Sequence, residues 1–171
     1  MTKLFCLIAG LGLFSVRAGM AQNPPPQIDC KWLTVDSAAK TATLQLTAGL
    51  TSLNGGLNFD GFKDGGLTLT VPMNWNVVVE FSNNDSVMMH SAQIIDSVKP
   101  VPAGPMDPAF PRAQTVRLMQ GLAHLEKDSF RFAANKAGTY MIFCAVPGHG
   151  LAGMWVKFKV SATQKQPTLS S

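Results

Sequence analysis

A chain of 171 residues with 46% hydrophobic content can build one globular domain with a real core, because a domain near this size buries roughly 70% of the surface its unfolded chain exposes. Fourteen Lys and Arg against ten Asp and Glu give a formal charge of +4, or +2 (12 minus 10) once residues 1–21 with Lys3 and Arg17 are set aside. So small an excess argues against nucleic acid as a partner, which is met by clustered Lys and Arg.

In chain order, residues 1–21 read as a secretory signal peptide: Lys3, an apolar run over residues 4–16, then the small residues Ala18, Gly19 and Ala21. The run is shorter than the roughly 20 apolar residues of a bilayer-spanning helix. Cleavage after Ala21 fits the small-residue rule, with Ala18 as the alternative, and implies export to a periplasmic or extracellular location. Residues 22–27, with Pro24, Pro25 and Pro26, form a stiff spacer. The folded domain is then expected over residues 28–160.

Within it the dominant period is two, the mark of half-buried strands. Leu44 and Leu46 alternate with Thr43, Gln45 and Thr47; Leu67, Leu69 and Val71 alternate with Thr68 and Thr70. Val77, Val79 and Phe81 form a further apolar face, as do Phe130 with Phe132, Tyr140 with Ile142 and Cys144, and Val156 with Phe158 and Val160. Turns fall at Asn54-Gly55-Gly56, Asp64-Gly65-Gly66, Asn83-Asn84-Asp85 and Ala137-Gly138. Between the strands, Pro100, Pro102, Pro105, Pro108 and Pro111 define a long rigid loop. Residues 116–127 carry helix-like spacing at Leu118, Leu122 and Leu125, with Gly121 counting against a helix. Met88, Met89, Met106 and Met119 read as gap-filling core, and residues 161–171 as a disordered polar C-terminal tail. Together these elements predict an all-β fold, an antiparallel Greek-key β-sandwich.

One stretch carries chemistry: Phe143-Cys144-Ala145-Val146-Pro147-Gly148-His149-Gly150-Leu151-Ala152-Gly153-Met154. Pro and Gly let the chain double back between Cys144, His149 and Met154, and His90 lies far upstream at the end of another strand region. Two imidazoles and one thiolate in a plane, with a weak thioether on the axis, are the donor set that suits copper in both oxidation states. Cys144 is therefore read as a metal ligand and not as a disulfide partner of Cys30. His124 has no ligand spacing and reads as a surface residue.

The Cys144-His149-Met154 loop with its partner His90 resembles the cupredoxins, the type 1 blue-copper proteins, and the loop is rusticyanin-like. Leu57-Asn58-Phe59-Asp60-Gly61 leading into a strand, and Asn83 to His90 at their spacing, are similar to the sulfocyanin family, with agreement in order over residues 32–160. The resemblance implies one copper ion per chain, cycling between Cu(I) and Cu(II), with His90, Cys144 and His149 as equatorial ligands and Met154 as the axial one. It further implies that Ser91 donates a hydrogen bond to the thiolate, and that the reduction potential is high. Two positions depart from the family pattern: Met89 stands where Pro often precedes the first His, and Asp60 where Asn is usual.

These readings lead to a monomeric electron-transfer protein, not an enzyme, serving protein redox partners such as a cytochrome or a membrane-bound oxidase complex in a respiratory or related chain. The rival is a copper delivery or storage protein using the same ligands. The binuclear copper centre would need a second Cys in the loop, where Gly148 and Gly150 stand, and a multicopper enzyme would need more than the three histidines present.

Overall fold

The computed structural model describes residues 26–171, so the expected signal peptide and most of the spacer lie outside the described residues. Among the described residues there are nine strands: β1 (Leu33–Asp36), β2 (Thr41–Ala48), β3 (Thr68–Pro72), β4 (Trp75–Asn83), β5 (Gln93–Asp96), β6 (Lys127–Ala134), β7 (Gly138–Phe143), β8 (Trp155–Ser161) and β9 (Thr168–Ser170). They form two sheets, ordered β1-β2-β4-β6 and β5-β7-β8-β3-β9. Each strand read from alternation is present, because burying one face while solvating the other satisfies both the side chains and the backbone ladder. In β8, for example, Val156, Phe158 and Val160 are buried while Lys157 and Lys159 point outward.

The sandwich is mixed, not wholly antiparallel: β2 pairs parallel with β4 and β3 parallel with β8. The cause is connectivity. β2 and β4 are joined through β3, which belongs to the other sheet, so β4 returns beside β2 in the same direction, as crossover connections do.

Three further expectations are corrected. Residues 116–127 form turns and no helix, with Arg117, Gly121 and Leu125 at φ 52°, 77° and 64°. Leu122 instead exchanges main-chain hydrogen bonds with His90. The C-terminal stretch is not a loose tail: β9 adds antiparallel to β3, with Pro167 buried and half-buried Leu169 packed on the core. Finally, Met89, Met106 and Met119 are about half exposed (51%, 49% and 57%), since they sit on loops and not on core-facing strand positions.

Strand β7 is buried on both faces. Tyr140 and Ile142 face the inter-sheet core, while Met141 and Phe143 join Ile95 and Ala145 in a second cluster under Val98, Val101, Leu118 and Trp155. The proline-rich loop covers that outer face and holds the strand that leads into Cys144.

Asp60 is a buried carboxyl in the turn that closes Phe59 against Phe62. Its Oδ1 accepts the Thr47 amide at 2.8 Å, while Oδ2 has no partner. Burial, opposed by the bonds from Thr47, pushes its pKa from 3.8 up to about 7. The folded state therefore retains a proton that the unfolded state releases between these values. Stability falls as pH rises from about 4 to about 7, and the cost is complete above that window. Asp60→Asn is expected to stabilise the fold at pH 8 by about 1–3 kcal/mol and to leave it unchanged near pH 3.5. Urea melts at both pH values check this, and an equal effect at the two would contradict it.

Candidate metal centre

Three strand ends bring the candidate ligands together. Cys144 directly follows β7, His149 and Met154 lie on the loop before β8, and His90 stands between β4 and β5. The loop closes on itself: the Met154 amide donates to the His149 carbonyl at 3.1 Å, and the Cys144 amide to the Met154 carbonyl at 3.0 Å. Asn54 pins it from outside, its Nδ2 donating to the Ala152 carbonyl at 2.7 Å. His90 is held by its exchange with Leu122, and Gly121 permits that close approach. A Cβ on Gly121 would sit 2.7 Å from the His90 amide nitrogen, and its φ of +77° is one that side-chain-bearing residues rarely adopt.

The donor atoms converge. His90 Nδ1 and His149 Nδ1 are 3.3 Å apart, and Cys144 Sγ lies 3.8 Å from the first and 3.5 Å from the second. Donors bound to one ion at about 2.0–2.3 Å and spread evenly in a plane lie roughly 3.5–3.7 Å apart. The three therefore already stand at the separations a shared ion requires. Met154 is fully buried beside them, joined to Cys144 through the backbone.

Electrostatics point the same way. Burial pushes the Cys144 thiol up to about 11, against the pull of the Ser91 and Val146 amides and the Ser91 side chain. In so dry a place the thiolate needs a cation beside it to persist near neutral pH. Burial also holds both imidazoles below the ordinary histidine range, although Asp85 pulls each upward. Neutral imidazole is the form that binds metal.

Ser91 meets the expectation through its backbone amide, with its hydroxyl in longer contact. Its hydroxyl is 4.0 Å from Cys144 Sγ, donates to the Leu118 carbonyl at 2.9 Å and accepts the Ala145 amide at 3.2 Å. The Ser91 backbone amide donates to the sulfur at 3.4 Å. The hydroxyl therefore braces the segment after β7 against the Leu118 loop, while the Ser91 amide, together with that of Val146, donates at the sulfur.

Sequence reasoning missed Asp85. Its Oδ2 lies 3.0 Å from His90 Nε2, and its Oδ1 accepts the amides of Val87 and Met88. Burial raises the Asp85 carboxyl, but the bonds from His90, Val87 and Met88 outweigh it and hold it below the ordinary carboxylate range. An acidic residue five positions before a candidate ligand His, inside an Asn-Asn-Asp turn, was the available signal.

His149 alone among the three donors is only half-buried, with Pro147, Leu151 and Ala152 exposed around it. His124 is exposed and apart from the cluster.

The Sulfocyanin (SoxE) domain family model matches residues 29–169. Sulfocyanin of Sulfolobus acidocaldarius is 25% identical over 138 residues, covering 77% of this chain and 69% of that protein. Among solved structures, a Met-to-Gln variant of rusticyanin aligns with a TM-score of 0.55 at 25% identity, covering 80% of this chain and 87% of that one. Auracyanin A of Chloroflexus aurantiacus, described as a "blue" copper protein, shares the fold with a TM-score of 0.51 at 23% identity, covering 71% of this chain and 99% of its own. With a match that runs from just before β1 into β9, this chain belongs to the sulfocyanin family of cupredoxins.

Proposed function

We propose that this chain carries single electrons through one copper ion held by His90, Cys144, His149 and Met154. The reading rests above all on the convergence of two Nδ1 atoms and one Sγ at 3.3–3.8 Å from one another. Copper bound there supplies a one-electron Cu(I)/Cu(II) couple, since thiolate favours the lower state and imidazole tolerates the higher.

The protein's part is to hold the ligands still. Cys144 is fixed by its bonds to Ser91 and Met154, and His90 by Asp85 and Leu122. Rigid donors lower the reorganisation that each electron transfer demands. His90 is fully buried and Cys144 is 1% exposed, which supports a carrier over an enzyme that keeps an open ligand position for substrate. Electrons would enter and leave at the half-buried His149 edge, between Pro147 and Leu151. The proposed setting is a respiratory or related chain outside the cytoplasm, with the protein working as a monomer between redox proteins such as a cytochrome and a membrane-bound oxidase complex.

One observation favours the rival delivery reading: Met89, Met106 and Met119 are exposed residues, as soft surface donors for Cu(I) would be. Repeated oxidation and reduction in the presence of a Cu(I) chelator separates the two. A carrier keeps its copper through every cycle, while a delivery protein surrenders it at the first reduction, and that loss would overturn the electron-transfer reading.

A further inference from the structure

We infer that Asp85 is a positioning residue of this centre: a carboxylate clamped behind His90 that fixes which ring nitrogen faces the ion and lays a negative charge against that ligand. The inference rests on the copper reading above and adds to it what sets the ligand's orientation and the balance between the two oxidation states.

The geometry is specific. An ionised carboxylate only accepts hydrogen bonds, so the 3.0 Å contact places the His90 proton on Nε2 and turns the Nδ1 lone pair toward Cys144 and His149. Asp85 is itself held through both carboxylate oxygens and its own amide. Oδ1 accepts from Val87 at 2.8 Å and from Met88 at 3.1 Å, and the Asp85 amide donates to Asn83 Oδ1 at 2.9 Å. Asn83 Nδ2 then donates to the carbonyls of Met88 at 2.9 Å and Leu122 at 2.8 Å, and Leu122 is the residue that pairs with the His90 backbone. The same side-chain network thus orients the ring and anchors the main chain that carries it.

The surroundings are shaped to this carboxylate. A Cβ on Gly49 would lie 2.6 Å from Asp85 Cβ, and one on Gly56 would collide with Oδ2, so both neighbouring turns leave space that a larger residue would take. The Asp85 side chain is only 9% exposed and that of His90 not at all, so water screens the charge poorly. A hydrogen-bonded carboxylate makes imidazole a stronger donor, and a fixed negative charge favours the more positive oxidation state. Asp85 therefore works against the amide donated to Cys144 Sγ, which favours the reduced form.

Two variants test this. Asp85→Asn keeps the shape and an acceptor oxygen but removes the charge; it should retain the visible band at its wild-type position while shifting the Cu(II)/Cu(I) equilibrium toward Cu(I) by about tenfold, a rise of about 59 mV for one electron. Asp85→Ala removes the acceptor as well, and should weaken copper binding by about 10–100-fold and release His90 from a single tautomer in nitrogen NMR of the metal-free protein. A potential unchanged in Asp85→Asn overturns the charge role, and wild-type copper affinity with an unchanged His90 tautomer in Asp85→Ala overturns the positioning role. If Asp85→Ala fails to fold, the potential of Asp85→Asn decides alone. Absence of the visible band from the wild-type protein itself would sink the copper reading, whereas a normal band with unresponsive variants would sink only this inference.

Discussion

Replacing Cys144 with serine is expected to abolish the intense visible charge-transfer band of the copper-loaded protein and to weaken copper binding by at least about 100-fold. The sulfur is the soft donor that makes such a band, and a hydroxyl oxygen in its place is a hard, weakly acidic ligand. The exchange is nearly isosteric at a site 1% exposed, so the fold should persist, and unchanged far-ultraviolet circular dichroism would establish that the loss is chemical. An absorption band of wild-type strength in Cys144→Ser would contradict the assignment.

Phe110→Ala is expected to cost about 3–5 kcal/mol of stability, or roughly 10–20 °C in Tm. Phe110 comes from the proline-rich loop and yet occupies the centre of the core. Its ring stacks on Phe132 at 5.0 Å and meets Tyr140 at 4.8 Å and Phe158 at 6.2 Å, linking strands of both sheets. The segment around it is tied to β5, with the Ala109 amide donating to the Ile94 carbonyl and the Ile94 amide to that of Ala113. Truncation leaves a cavity among aromatic rings that cannot collapse to fill it. Because β7 carries both Tyr140 and the approach to Cys144, the loosening should also broaden the visible band. A loss below about 1 kcal/mol in denaturant melts would mean that the loop only covers the core.

What could be read from the sequence, and what could not, follows from the range of each interaction. Alternation is local, so the strand faces around Leu44, Val79, Phe132 and Phe158 were legible. The candidate ligand loop stood out because copper's donor set is narrow and three residues of the matching types lie within eleven positions, from Cys144 to Met154. Phe110 was not, since nothing in a proline-rich run says which aromatic turns inward. The spacing of Leu118, Leu122 and Leu125 suggested a helix, but Leu122 was placed by its pairing with His90, and Leu125 is 67% exposed. β9 was missed for the same reason: a three-residue edge strand gains its structure from β3, a partner roughly one hundred residues away. The parallel ladders arise from a crossover that no local pattern encodes. At the centre, Ser91 was legible as a hydrogen-bond partner of the Cys144 sulfur, whereas Asp85 was read only as part of a turn and not as the partner of His90.

The visible absorption spectrum of the purified protein titrated with Cu(II) tests the central claim most directly. An intense band that saturates at one copper per chain, bleaches with a reductant and returns on reoxidation is the predicted result, because it requires a short copper–thiolate bond in a site that keeps its metal in both states. Binding without intense colour, or colour lost irreversibly together with the metal on the first reduction, would contradict it.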